Sequence, residues 1–201
     1  MPDRNTDELL LEKAGAGETA AFIELYERHR SGVFGFAYRL SGSVELAEDI
    51  THDCFLSLIK TPTGFQPGRA SLRTYLLSAA RNLWLKQLRT SSREAAVDEF
   101  DDDYFVSLEK QPVHHLIDGE LATRVQQAVS SLPPLQKEAL VLFEYEGLTI
   151  NEIAAMVGTD AGAVKSRLFR ARERLRMVLS PYLTNSTELN SKPEIVTLEQ
   201  A

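Results

Sequence analysis

Residues 148–177 read LTINEIAAMVGTDAGAVKSRLFRARERLRM, and this stretch decides the fold of the second half of the chain. Thr149, followed three residues later by Glu152, predicts a capping box at the start of a short helix. Gly158 predicts the end of that helix, because the left-handed backbone that often follows a helix favours glycine. A second helix follows at once. Two helices joined by a tight glycine turn predict a helix-turn-helix.

The second helix of this pair is strongly basic, and Thr159 or Asp160 is placed to cap its start. Between residues 160 and 176 six basic residues stand against two acidic ones, which leaves +4 on one short helix. Ala154 is small where the two helices cross, and Val164 is apolar where they touch. An ordinary helical hairpin with a solvated basic face explains the charge but not this placement. The stretch therefore favours a DNA-binding helix-turn-helix over a plain hairpin.

The bulk composition fits a globular protein of one domain or two small ones: 201 residues, 43% hydrophobic and 25% charged. No run approaches the ~20 apolar residues of a membrane span. The N-terminus is acidic and lacks the apolar core of a signal peptide. We therefore expect no membrane insertion and a cytoplasmic location. The net charge of −7 is unusual for a DNA-binding protein, but the charges are segregated along the chain.

Signatures of catalysis are missing from the sequence. It contains no glycine-rich phosphate loop, no nucleophile elbow and no metal-ligand spacing. Cys54 is the only cysteine, so no internal disulfide and no cysteine zinc cluster can form. We expect no enzyme activity, no catalytic residue, no metal and no cofactor.

The first half of the chain predicts three long helical segments. Residues 7 to about 40 carry apolar residues at helical spacing, with an interruption near Gly15 and Gly17. Ser43 is placed to cap the next helix, 44–60, whose apolar stripe is Ala47, Ile50, Cys54 and Leu58. On the other side of that helix three polar residues project together: Asp49, His52 and Asp53. Such a polar face is most often a plain solvated surface.

A loop over residues 61–70 contains Phe65, and Ser71 then caps a helix that extends to Arg93. Its predicted buried stripe is Leu72, Leu76, Ala79 and Leu83. From residue 69 to residue 93 there are six basic residues and no acidic one. Tyr75 and Trp84 are interleaved with these charges, a pattern that suits stacking on single-stranded nucleic acid. The alternative is that both aromatic rings belong to the core.

The next segment changes in character, since residues 94–120 hold nine acidic residues and one basic residue. This composition predicts a linker. Helical patterns resume afterwards and Pro181 is expected to close them, before a polar tail. The predicted fold is all-α, with two small helical domains at 7–92 and 113–180, a flexible acidic linker at 93–112 and a disordered tail at 181–201.

Three segments together resemble the extracytoplasmic-function (ECF) sigma factors of bacterial RNA polymerase. AEDITHDCFLSL (47–58) is similar to the core-binding helix of that family, and SLRTYLLSAARNLWLKQLR (71–89) to its promoter-melting helix. Residues 132–176 are similar to its C-terminal DNA-binding domain, and GAVKSRLFRARERLR is the most specific part. The departures are local: His52-Asp53 stand where Gln-Glu is common, and Ala161-Gly162 where Pro-Val is common.

The resemblance implies three binding surfaces. Core RNA polymerase would be bound by Asp49, His52 and Asp53. The minus-ten element of promoter DNA would be bound by Phe65, Arg73, Tyr75, Arg81, Asn82, Trp84, Lys86 and Arg89. The minus-thirty-five element would be bound by Thr159, Asp160, Ala163, Lys165, Ser166, Arg167, Arg170 and Arg174. Lys165 and Arg167 would read base edges, whereas the later arginines would hold phosphates. An anti-sigma factor is a further partner that the family commonly has.

Two other classes of function stay open on the sequence. A helix-turn-helix regulator that binds closed duplex DNA without polymerase would share the basic helix, but it would need a ligand pocket or a dimer seam in the first half. A protein that only sequesters another factor is the third class, and the two basic segments count against it.

Overall fold

The computed structural model describes residues 4–61, 64–68, 70–94 and 120–189, and within them the fold is all-α. Pro62, Thr63, Arg69 and most of the predicted linker at 93–112 lie outside these residues. The helices run in chain order as α1 Arg4–Gly15, α2 Thr19–Ser41, α3 Val44–Lys60, α4 Leu72–Glu94, α5 Glu120–Ser130, α6 Pro134–Leu140 continued by a π-helical turn Val141–Tyr145, α7 Ile150–Val157 and α8 Ala161–Leu189. None of the described helices is long and apolar enough to cross a membrane.

The first long segment is broken where the glycines predicted it. α1 ends at Gly15 and α2 begins at Thr19, and Gly17 between them has a φ of +95°. α2 ends at a left-handed Gly42, whose N–H donates to the Tyr38 carbonyl at 2.8 Å. These two turns fold α1 and α3 back along α2.

α3 begins where its predicted cap stands. The Leu46 N–H donates to the Ser43 hydroxyl at 3.2 Å, and the helix spans Val44–Lys60. Its predicted stripe is buried, and Thr51 and Phe55 widen the buried face. Burial raises the pKa of the Cys54 thiol to about 12, so this side chain is an inert core residue.

α4 is capped by Ser71, whose hydroxyl accepts from the Thr74 N–H at 3.1 Å. The predicted stripe of this helix is wrong in its later turns. The fully buried side chains are Leu72, Leu76, Leu77, Ala80 and Trp84, whereas Ala79 and Leu83 are half-buried. α4 packs against α2 and α3 together, so its buried face is rotated and wider than one stripe.

The helix-turn-helix has the predicted local chemistry. The Glu152 N–H donates to Thr149 Oγ1 at 3.3 Å, and the Thr149 N–H donates to Glu152 Oε2 at 2.8 Å, which completes the capping box. Gly158 is left-handed, with a φ of +72°. Val164 is fully buried and Ala154 is 8% exposed. The predicted crossing of α7 and α8 is therefore confirmed.

The expectation that the helical pattern ends at Pro181 is wrong, because α8 continues through it to Leu189. Proline has no N–H for the Met177 carbonyl one turn earlier. The Ser180 hydroxyl donates to that carbonyl at 3.2 Å and replaces the lost bond. The beginning of the expected tail is thus helical, and residues 190–201 lie outside the described part of the chain.

The two halves of the chain, predicted as separate domains, pack against each other. α2 contacts α5, α6 and the π-helical turn. One cluster of buried apolar side chains runs from Leu10 and Phe36 in the first half to Leu142 and Val164 in the second. The boundaries at 7–92 and 113–180 stay predictions.

Candidate functional site

The predicted minus-thirty-five residues lie just before α8 and along its first four turns. Asp160, Lys165, Ser166 and Arg170 are exposed, and Thr159, Ala163, Arg167 and Arg174 are half-buried. Lys165, Ser166 and Arg170 therefore form the exposed polar part of α8, whereas Arg167 and Arg174 are partly covered by the rest of the protein.

Asp160 holds the start of this helix. Its carboxylate accepts from the Ala163 N–H at 2.9 Å, and bonds from the N–H groups of Ala163 and Gly162 lower its pKa. A Cβ on residue 162 would lie 2.8 Å from Asp160 Oδ1. Gly162, a departure from the common family pattern, therefore leaves room for the capping carboxylate.

Two arginines of α8 form ion pairs with glutamates of the second half of the chain. The Arg172 guanidinium donates to Glu144 Oε1 at 2.6 Å and lies 5.3 Å from the Phe143 ring centre. Arg176 pairs with Glu173 on its own helix. Arg172 therefore joins α8 to the π-helical turn, and its side chain stays 49% exposed.

The predicted polymerase-binding residues lie together on α3, where Asp49, His52 and Asp53 are all exposed. Glu45, one turn earlier, is exposed as well. The described residues bring no three His, Cys, Asp or Glu side chains together as metal ligands. The α3 face is thus an acidic surface that a basic partner can reach.

The predicted minus-ten residues separate into three groups. Asn82, Lys86 and Arg89 are exposed along α4, as expected for side chains that contact DNA. Phe65 and Trp84 are 5% and 2% exposed, which corrects their assignment: both rings are enclosed by the core and cannot stack on bases in this conformation. Tyr75 is half-buried and packs edge-on against Phe65 at 5.6 Å.

The third group, Arg73 and Arg81, is bound to the second half of the chain. Arg73 Nη2 lies 2.5 Å from Glu146 Oε2, and its Nη1 donates to the Glu146 carbonyl at 3.3 Å. Arg81 Nε lies 2.5 Å from Glu138 Oε1. Two cations predicted to contact DNA are therefore held by carboxylates.

Sequence reasoning missed the rest of this interface. Arg39 of α2 lies 3.7 Å from Glu146 Oε1 and 4.7 Å from the Tyr145 ring centre. Gln126 donates to the Tyr38 hydroxyl at 2.9 Å. The signal that could have found the interface is the run of three polar residues, Gln136-Lys137-Glu138, in a short helix whose other residues are apolar.

Burial changes the titration of the charged groups in this interface. It lowers the pKa of Lys137 to about 8, and it raises the pKa of Glu138 and of Glu146. Nearby arginines oppose the shift in both carboxyl groups: Arg81 and Arg167 at Glu138, and Arg73 and Arg39 at Glu146. The arginines thus favour the charged form of both carboxyl groups, against the larger effect of burial.

Two family models match the chain in the places where these surfaces lie. Sigma-70 region 2 matches residues 25–94, which contain α3 and α4. Sigma-70 region 4 matches residues 122–175, which contain the helix-turn-helix. The chain therefore contains both sigma-70 regions, one in each half.

Individual proteins give the same result. The chain is 33% identical over 168 residues to the ECF RNA polymerase sigma factor SigE of Mycolicibacterium smegmatis, covering 82% of this chain and 64% of that protein. It is 34% identical over 146 residues to EcfG of Rhodopseudomonas palustris, covering 72% and 77%. The sigma factor RpoE of Bartonella quintana, solved in complex with the anti-sigma factor NepR, matches with a TM-score of 0.64 at 26% identity, over 79% of this chain and 96% of that one. The chain belongs to the ECF sigma factors of the sigma-70 family.

Proposed function

We propose that this protein binds core RNA polymerase, directs it to promoters through a minus-thirty-five and a minus-ten element, and starts transcription there. The observation that carries the proposal is the presence, in one chain, of an exposed acidic face on α3 and an outward basic face on α8. A regulator acting on closed duplex needs only the second. Such a protein acts in the cytoplasm and needs no catalytic group, and an anti-sigma factor is a further proposed partner.

The α3 face is the proposed contact with polymerase. Asp49 and Asp53 are one helical turn apart and His52 lies between them, so one basic surface can meet all three. Complementary charge gives such a contact its orientation and its rate of association.

The α8 face is the proposed contact with the minus-thirty-five element. Lys165 and Arg167 stand on the early turns, which lie deepest in a major groove, so they would contact base edges. Arg170 and Arg174 stand further along the helix and would contact phosphates. Thr159, Asp160, Ala163 and Ser166 complete this surface, with Asp160 fixing the start of the helix.

The α4 face is the proposed contact with the opened minus-ten element. Asn82, Lys86 and Arg89 are available to single-stranded DNA in this conformation. Tyr75 lies beside Phe65 and holds the loop before α4: a Cβ on Gly64 would approach its hydroxyl to 2.8 Å. Phe65 and Trp84 would support this surface from the core, whereas Arg73 and Arg81 would join it only after the halves separate.

The test is binding to core polymerase by charge-reversed variants. Asp49→Lys with Asp53→Lys should weaken the Kd at least about tenfold, or about 1.4 kcal/mol, since two attractive contacts become repulsive. Glu8→Lys with Glu12→Lys is the matched control, with the same charge change and the same spacing on α1, outside the region 2 match. Circular dichroism checks that both variants fold.

If the two variants bound core polymerase with equal affinity, the α3 face would be a solvated surface that does not contact polymerase. Failure of the unaltered chain to bind core polymerase, together with tight binding to duplex DNA, would favour a helix-turn-helix regulator instead.

A further inference from the structure

One large apolar side chain lies on the exposed face of the early turns of α8. Phe169 is 66% exposed, whereas the other large apolar residues between 161 and 176 are buried or half-buried: Val164, Leu168 and Leu175. Phe169 belongs to neither cluster of apolar side chains that the described residues form. It therefore does not contribute to the core of the second half.

The neighbours of Phe169 are side chains proposed to contact the minus-thirty-five element. Residues three and four apart in a helix are neighbours on its surface, so Lys165 and Ser166 lie one turn before Phe169. Arg170 follows it directly, and all three of these residues are exposed. A single exposed apolar residue is ordinary on a protein surface, so exposure alone assigns no role. The position of the ring among these polar side chains is what indicates a contact with DNA.

The major groove offers a phenylalanine ring one kind of apolar partner. Donors and acceptors on the base edges are bound by polar side chains, whereas the 5-methyl group of thymine is contacted by apolar side chains such as phenylalanine. A cytosine methylated at C5 carries the same methyl group at the same place on its edge. Burying this methyl group against the ring removes apolar surface from water and favours binding.

We propose that Phe169 is a specificity-determining residue that contacts the 5-methyl group of one pyrimidine in the minus-thirty-five element. This pyrimidine is a thymine, or a cytosine methylated at C5. The inference rests on the proposed contact between α8 and DNA, and it adds an apolar contact to the polar ones of Lys165 and Arg167. Methylation of a cytosine at this position therefore raises the affinity of the site.

The first experiment removes only the methyl group. A duplex enriched from random DNA by the full chain and core polymerase is remade with uracil in place of each thymine in turn, and its affinity is measured by fluorescence anisotropy. At one position we expect the exchange to weaken binding about fourfold, which corresponds to about 0.8 kcal/mol for one buried methyl group. In the Phe169→Ala variant the same exchange should leave the affinity unchanged, because the ring is absent.

The matched control for this variant is Met177→Ala. Met177 is 68% exposed and lies about 12 Å further along the axis of α8, so its removal also takes away a large exposed apolar side chain. The fourfold difference between thymine and uracil should persist in this control. Phe169→Leu keeps an apolar side chain and should retain part of the difference. Circular dichroism checks that all three variants fold.

The second experiment adds the methyl group to cytosine. The sensitive thymine is replaced by cytosine, with guanine opposite, and the duplex is prepared with and without a methyl group at C5. The unaltered chain should bind the methylated duplex about fourfold more tightly. Phe169→Ala should bind the two duplexes with equal affinity.

Two results of the first experiment would overturn the inference. If uracil weakened binding equally for the unaltered chain and for Phe169→Ala, another residue would contact the methyl group. If no exchange weakened binding by the unaltered chain, no methyl group would be recognised. Equal affinity of the unaltered chain for the two cytosine duplexes would overturn the extension to methylated cytosine.

Titrations with the chain alone separate this inference from the proposed function. If core polymerase changed neither the affinity nor the enriched sequence, while the difference between thymine and uracil still depended on Phe169, the proposed function would be wrong. The methyl contact would then stand as a property of a protein that binds closed duplex DNA without polymerase.

Discussion

At the scale of single residues, Asp7 ties the N-terminal helix to the rest of the first half. Arg28 Nη1 donates to Asp7 Oδ1 at 2.7 Å, and His29 Nε2 lies 3.0 Å from Asp7 Oδ2. Burial lowers the pKa of His29 below its ordinary 6.5, although Asp7 opposes the shift, and Arg28 and Arg73 lower the pKa further. The neutral imidazole is therefore the form that the folded protein accommodates.

This histidine makes stability depend on pH. Below 6.5 the unfolded chain takes up a proton that the folded protein resists, so the free energy of unfolding should fall as the pH drops from about 7 to about 5. The His29→Gln variant keeps a hydrogen-bond donor but does not titrate at this position. Its free energy of unfolding should therefore fall less steeply as the pH drops. Urea unfolding at several pH values measures both slopes. If the free energy of unfolding had the same slope against pH in both proteins, groups other than His29 would cause the loss of stability.

Two cations of α8 should contribute differently to DNA binding. Lys165→Ala should cost ~1–3 kcal/mol on a selected minus-thirty-five duplex and less on a scrambled one, because a base contact is lost. Arg170→Ala should weaken binding to both duplexes alike and reduce the slope of log affinity against log salt by ~0.9. Anisotropy titrations of the full chain at several salt concentrations compare the two. If Lys165→Ala lost the same affinity on both duplexes, Lys165 would not contact base edges.

At the scale of helices, two glycines should respond to alanine in opposite directions. Gly158 ends α7 with a φ of +72°, so Gly158→Ala should destabilise the protein by about 1–2 kcal/mol. Gly32 lies within α2 and an added Cβ meets nothing within 4 Å, so Gly32→Ala should stabilise it by about 1 kcal/mol. Thermal unfolding of both variants gives the signs. If both substitutions changed the stability in the same direction, this explanation of Gly158 and Gly32 would be wrong.

Local signals predicted the helices well because their causes lie within a few residues. The capping box at Thr149, the cap at Ser43 and the left-handed Gly158 depend only on neighbouring backbone groups. The continuation of α8 through Pro181 was not predicted. The bond that compensates for the proline comes from the Ser180 hydroxyl. A serine at this position does not predict such a bond, because serine is also common at helix ends.

Side chains whose surroundings come from distant segments were harder to predict. The sequence leaves Trp84 equally suited to core and to DNA, and only the packing of α4 against α2 and α3 buries it. Arg73 and Arg81 suit a DNA surface by their spacing, but their partners lie 73 and 57 residues away. Pairing over such separations has no signature in helical periodicity.

At the scale of the whole molecule, ion pairs and apolar contacts join the two halves of the chain. Arg73 and Arg81 of the first half face Glu146 and Glu138 of the second, while the acidic α3 face and the early turns of α8 are exposed. The all-α class and the family could be predicted from the sequence, whereas the contact between the halves required coordinates.

Promoter opening tests the central claim, that this chain is the promoter-recognising subunit of RNA polymerase, most directly. Duplexes are first enriched from random DNA by core polymerase mixed with this chain, and unpaired thymines are then mapped with permanganate. Reactive thymines should appear at one fixed position only when core and chain are both present. They should be fewer with the variant carrying both Asp49→Lys and Asp53→Lys. A chain that protects duplex DNA alone, and adds no reactive thymines in the presence of core polymerase, would contradict the account.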